Sequence, residues 1–390
     1  MRKTDAETAH DEWTLIRGAR QLLTLRGASG PRRGIAMTDL NVVSDGAVLI
    51  RNGLIEDVGS TRRVENLAPA RLAREIDARG KVIMPAFADP DVALTSPEAG
   101  AHVAETDIRR MSRRRLDNQA MATVADLARF GVLTIGAPTR YALDLQSAIK
   151  ALRVNLALQS KPLRIRSVFS PPHRISQTWM PAIARKKLAS VAEISATESC
   201  PGDAQALAAA AAASGYSIRF RVSGQYDPEV LELAHSAGSV ALLGPIAENS
   251  AVSRGLSDAG CVQVALVAQM LAGECTSARG AVDFGTPVAL ASGYGNNGTA
   301  SLNPQFLLYM ACRHLGLSIE EAIVATTYNA VCSLRLSHVT GSLEPGKSAD
   351  LVVMDLDDYN ELGRRAGHHD AHLVIRAGRI VYRRSNLKLE

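Results

Sequence analysis

Two aspartates close an apolar run in "VIMPAFADPDVAL", residues 82–94. Asp89 and Asp91 therefore sit at the end of a buried-strand pattern. A carboxylate there can act as a general base, help to hold a metal ion, or pair with a cation. Arg221, in "IRFRVSG", ends a second such run and offers a permanent cation with no lone pair. Arg140 and Tyr141 follow "GVLTIGAPT", and His173 follows "VFSPP". Covalent chemistry has little support. No GxSxG is present, and Cys200 and Cys275 lack a nucleophile signature. "HHDAH" holds His368 and His372 at i, i+4, but its flanks read as a surface loop. The Gly-rich "SGYGNNGT" could cradle an anion, although an ordinary β–α loop suits it better.

These residues are positioned by a repeating plan. Short β-branched runs at 131–138, 163–172, 216–224, 239–245, 261–267 and 287–293 alternate with helix-like segments. Such alternation means parallel strands joined by crossover helices. With the opening run "GKVIMPAF" counted as the first strand, seven candidates span roughly the length of a (β/α)8 barrel. A doubly wound sheet would want a Gly-rich fingerprint after its first strand, and "FADPDVAL" is not one. In a barrel, functional residues follow the C-terminal ends of the strands, where Asp91, Arg140, Tyr141, His173 and Arg221 all fall. Both chain ends look β-rich, with a hairpin signal at Asn52-Gly53. The expected fold class is α/β: a TIM barrel over 81–340, with a small β-sandwich domain built from 1–80 plus 341–390.

Composition removes several function classes. Hydrophobic residues make up 46% and charged residues 21%, as in an ordinary globular protein. Aromatics are only 4%, too few for base-stacking surfaces, so no nucleic-acid partner is expected. The basic run "RRMSRRR" (109–115) reads as a solvated helix face. Five scattered cysteines without a CxxC pair suggest reduced thiols and a cytoplasmic location. No apolar stretch long enough to span a bilayer is present, so no membrane association is expected.

The residues also carry a resemblance. "GAVLIRNGLIEDVG" with "REIDARGKVIMPAFADP", "RYALDLQSAIKALRV", "VFSPPH" and the C-terminal "NPQFLLYMACRHLGLSIEEAIVATTYNAVCSLRL" with "GSLEPGKSADLVVMD" resemble the amidohydrolase superfamily. Within it they are similar to imidazolonepropionases. The resemblance implies a hydrolase of non-peptide C–N bonds in cyclic amides. It also implies a Zn or Fe ion held by a His-x-His after the first strand, a histidine after the fifth and an aspartate after the eighth. Here the His-x-His positions fall on Asp91 and Ala93, and the strand-five position on Arg221. A catalytic acid three residues later falls on Gly224, a strand-six histidine near Leu243, and the aspartate on Gly293 or Ser292. Not one expected ligand is retained, so neither a metal nor another cofactor is expected. An Asp91–Arg221 ion pair is expected in the metal's place.

Without a metal, recovering hydroxide near neutral pH means roughly eight pKa units, on the order of 11 kcal/mol. Oxyanion-type donors supply about 3–4 kcal/mol each. The expectation is therefore a homologue that is not a metal hydrolase, binding a small ligand or serving as a regulatory subunit. It would pair with itself or with an active paralogue. The alternative is a hydrolase with metal-independent chemistry, using Asp91 as base. The resemblance gives Tyr141 and His173 a substrate-contacting role, and Arg140 and Arg221 join them as candidate binding residues. Tyr141 and His173 are equally consistent with leftover packing. His102 and the loop residues Tyr294, Asn296, Asn297 and Thr299 are weaker candidates.

Overall fold

The computed structural model describes residues 12–96, 108–159, 161–196, 201–222, 228–246, 250–273, 275, 277–295 and 301–384. The first five strands are β1 (Trp13–Leu23), β2 (Val42–Arg51), β3 (Leu54–Ser60), β4 (Arg74–Asp77) and β5 (Val82–Pro85). Eight more follow: β6 (Phe87–Asp89), β7 (Val132–Pro138), β8 (Arg164–Phe169), β9 (Val191–Ala196), β10 (Ser217–Val222), β11 (Ala241–Leu243), β12 (Val262–Leu266) and β13 (Val288–Ala291). The chain ends with β14 (Leu351–Met354), β15 (Ala371–Arg376) and β16 (Arg379–Arg383).

Strands β6 to β13 pair in sequence order, all parallel, with helices between most of them. This is the (β/α)8 barrel. Its circle closes beyond the strand ends, where Val92 and Tyr294 form a parallel bridge and the Ala93 N–H donates to the Tyr294 carbonyl at 2.9 Å. Most barrel strands are buried along nearly their whole length, which is why they read as continuous apolar runs. The helices show the complementary pattern. Arg113–Arg129 buries Leu116, Ala120, Val124 and Leu127, spaced as one face, and Ser112 caps its start by accepting from the Arg115 N–H. The basic run does open this helix, as its sequence suggested.

The two chain ends form a second, mixed sheet of eight strands. Its far ends meet: the Ile55 N–H donates to the Lys347 carbonyl, and the Ala349 N–H to the Gly53 carbonyl. One apolar cluster joins Ile55 and Val58 of β3 to Leu373 and Ile375 of β15. The sheet therefore curls over itself around a core of its own, separate from the packing that surrounds the barrel strands.

Two strand assignments differ from the sequence reading. Val82–Pro85 pairs with β1 and β14 in the terminal sheet, so "GKVIMPAF" is not the first barrel strand. That strand is the shorter Phe87–Asp89. One apolar run serves two sheets, with Ala86 alone between them. The other difference is β9, in "SVAEISA", which the sequence reading passed over. A glutamate at its centre breaks the apolar pattern that identified the other strands.

No helix among the described residues is long and apolar enough to cross a membrane. The described cysteines, Cys261, Cys275, Cys312 and Cys332, are unpaired.

Candidate functional site

The mouth of the barrel holds a compact ionic cluster. Asp91 stands just past β6 and is fully buried. Glu193 lies on β9, and Arg219 and Arg221 lie two apart on β10, hence on the same face. Arg140 follows β7. Arg221 and Arg140 each pair with a different Asp91 oxygen through Nη2. Arg140 Nη2 also reaches the two Glu193 oxygens at 3.0 and 3.1 Å. Arg219 Nη2 is 2.6 Å from Glu193 Oε2 and 3.6 Å from Asp91 Oδ1. Its Nη1 donates to the Pro90 carbonyl at 2.8 Å. Ser170 Oγ donates to Glu193 Oε1 at 3.2 Å. The Asp91–Arg221 pair anticipated from the sequence is present, as part of a five-residue group.

Burial orders the cluster. Side-chain exposure is 0% for Asp91 and 1% for Glu193 and Arg219, against 11% for Arg140 and 15% for Arg221. Arg140 and Arg221 are thus the rim, and Arg219 is the floor. Burial by itself would raise the pKa of both carboxyls. Arg140 and Arg221 outweigh it at Asp91, and Arg140 and Arg219 at Glu193, so both are held below their ordinary values. Arg140 is raised, because Asp91 and Glu193 outweigh the cost of its burial. Arg219 is lowered, because at the floor burial wins over the same two carboxylates.

Asp89 is the exception. It is buried and faces no arginine. It accepts from the Asp91 N–H at 3.0 Å and from the Ser292 N–H at 3.2 Å, tying β6 to the end of β13. Burial dominates these bonds, and the nearby Asp91 charge adds to it, pushing Asp89 up to about 7.

The turn that presents Asp91 depends on Gly136 of β7. The Val92 N–H donates to the Gly136 carbonyl at 2.9 Å. A Cβ at Gly136 would stand 2.2 Å from the Pro90 carbonyl oxygen, so only glycine lets the turn lie this close.

The remaining candidates are dispersed. Tyr141 adopts a left-handed backbone, φ 66°, and its hydroxyl donates to the Gly295 carbonyl at 3.0 Å. His173 is exposed. It precedes the short helix Arg174–Trp179, with Nδ1 3.1 Å from Ser176 Oγ and its ring edge-on to Trp179. No hydrogen bond or ion pair among the described residues joins His173 to the cluster; the third strand contributes Ser170 instead. His368 and His369 lie in the loop read from the sequence, just before β15, with His368 exposed. His369 packs against Phe130 and Tyr382, and His372 lies on β15. His102, Cys200, Gly224, Asn296, Asn297 and Thr299 lie outside the described residues.

Among the described residues, the donors at these positions do not fit a divalent metal ion. The Ala93 side chain has no ligating atom, and Leu243 sits in an apolar cluster with Val264, Leu266 and Ala291. A guanidinium cannot ligate, and three of them would repel the ion. Among the described residues, no three His, Cys, Asp or Glu side chains gather as a metal site.

The fold, a (β/α)8 barrel with a sheet domain built from both chain ends, is that of an amidohydrolase-type barrel. The amidohydrolase family model matches residues 195–381. The structure of guanine deaminase from E. coli superposes with TM-score 0.73 at 18% identity, over 96% of this chain and all of that one. That of ochratoxinase from A. niger superposes with TM-score 0.71 at 15% identity, over 96% of each. At those identities the likeness is one of fold. Two sequence relatives go further. Imidazolonepropionase from Solibacter usitatus is 30% identical over 413 positions, covering 94% of this chain and 98% of that protein. Imidazolonepropionase from Geobacillus kaustophilus is 28% identical over 411 positions, covering 94% and 97%. The chain belongs to the amidohydrolase family, among its imidazolonepropionase-like members.

Proposed function

We propose that this protein is an imidazolonepropionase-like homologue in which salt bridges have replaced the catalytic metal, and that it binds a small ligand or regulates a partner. The observation that carries this reading is the seating of Arg140, Arg219 and Arg221 on Asp91 and Glu193. Removing these five charges from water is costly, and their mutual pairing offsets part of that cost. A metal entering the site would have to displace the guanidiniums from Asp91. The ligand would meet the rim, where Arg140 and Arg221 keep some exposure beside Tyr141. A homodimer, or a heteromer with an active paralogue, is the assembly proposed.

The test is metal analysis of purified protein, with hydrolysis of a cyclic amide such as an imidazolone followed with and without a chelator. The reading expects no stoichiometric metal after dialysis and no chelator-sensitive turnover. About one equivalent of Zn, Fe or Mn surviving dialysis, with turnover lost on chelation, would sink it.

Asp89 favours a second reading, a hydrolase with altered chemistry. A carboxyl shifted to about 7 is matched to proton transfer near neutral pH. Asp91, held ionised by its arginines, is a weak base and suits that role poorly. Chelator-insensitive hydrolysis of a cyclic amide, lost in Asp89→Asn, would support this reading over the first.

A further inference from the structure

The opposite end of the barrel carries a different imbalance of charge. Arg164 and Arg166 stand at the N-terminal end of β8. Arg164 Nη2 is 3.2 Å from Asp350 Oδ2, and Asp350 is completely buried. Arg376, half-buried, lies within electrostatic reach of the same carboxylate. Arg166 has no ion pair among the described residues. Its Nη1 donates to Ser190 Oγ at 3.1 Å. Burial, then its neighbours Arg164 and Arg335, depress its pKa. Arg164 and Arg376 thus share one carboxylate, and Arg166 faces the arginines Arg164 and Arg335 instead.

A cavity of about 360 Å³ opens beside Arg166. Lys187, Ser167, Ser190, Ser214 and the Gly215 backbone also line it, and Leu156 and Tyr216 form part of the wall. Among the described residues no acidic side chain lines it. The wider surroundings reinforce the sign. Arg185 and Lys186, both exposed, directly precede Lys187. Such a field concentrates anions near the surface.

We propose that this cavity binds a small oxyanion of the phosphate or phosphomonoester class, with Arg166 and Lys187 as its charged partners. The chemistry matches. A guanidinium fork and an ammonium neutralise the oxygens, and three serine hydroxyls can donate to those that remain. The cavity is larger than inorganic phosphate needs, and its apolar wall leaves room for a small organic body. The site is separate from the mouth, so it stands whether or not the proposed function does.

Isothermal titration of the full chain with inorganic phosphate, and separately with glycerol 3-phosphate, tests this. Saturable binding is expected, weakened at least about tenfold, equal to about 1.4 kcal/mol, in Arg166→Gln and in Lys187→Gln. Circular dichroism should be unchanged in both variants. Tighter binding of glycerol 3-phosphate identifies a phosphomonoester site; equal or tighter binding of phosphate identifies a site for the free ion. Lys187 is exposed, so its variant decides the matter if Arg166→Gln does not fold. Failure of both ligands to saturate, or unchanged affinity in the variants that fold, overturns the proposal.

Discussion

Asp89→Asn should stabilise the protein, and increasingly so as pH rises. The Asp89 carboxyl is raised from 3.8 to about 7 by burial. The native state therefore holds this proton more tightly than the unfolded chain does. For an acid with a raised pKa, stability falls as pH climbs through the interval between the two values, and then levels off. Each unit is about 1.36 kcal/mol, so ionising Asp89 costs on the order of 4 kcal/mol by pH 8. Of this, roughly 2–3 kcal/mol accrues between pH 5 and pH 8. An asparagine carbonyl oxygen can still accept from both the Asp91 and Ser292 N–H groups, because both donors reach Oδ1. The substitution removes the ionisation and keeps these two bonds, while the Ser292 hydroxyl, which also bonds the carboxyl, can accept from the new amide. Urea unfolding of both proteins at pH 5 and pH 8 measures the effect. Taking the difference between variant and wild type cancels groups that titrate alike in both, such as His369 and His372. Asp91 and Glu193 are depressed, so their contribution is complete above their unfolded values and is lost only in acid. A variant advantage that fails to grow by at least about 1 kcal/mol from pH 5 to pH 8, or that shrinks, refutes this account of Asp89.

Three further substitutions probe the same end of the barrel. Arg219→Met removes the floor cation and should cost about 3–5 kcal/mol in urea unfolding, because Glu193 stays buried with less compensation. Adding Glu193→Gln to it should cost less than the sum of the two single changes, and strict additivity would show that the pair is not coupled. Gly136→Ala should cost about 3 kcal/mol or more, since its Cβ would meet backbone rather than a side chain that can swing away. A soluble Gly136→Ala protein with an unchanged melting temperature would contradict the packing described for the Pro90 turn.

The barrel and the place of its mouth were legible in the sequence because parallel strands buried on both faces leave apolar runs at regular spacing. The Asp91–Arg221 pair was legible for a different reason: both residues fall on positions that share one metal in the family, so they had to be neighbours. Glu193 was not, since a charge in the middle of a six-residue strand erases the pattern that reveals the strand. Arg219 could have been found. It lies two residues before Arg221 in a strand, which places it on the same face and one layer deeper. The assignment of Val82–Pro85 to the terminal sheet was hidden because a strand buried in either sheet is equally apolar. The pairing partner decides, and that partner begins at Leu351.

This last pairing bears on how the protein is made. Val82–Pro85 leaves the ribosome early, with one edge able to meet β1. Its other neighbour, β14, is synthesised about 265 residues later. At about 5–20 residues per second, that edge waits roughly 15–50 s for its partner. For that interval a short apolar strand is exposed beside a barrel still under construction. The edge of Val82–Pro85 is covered only once Leu351–Met354 has been made.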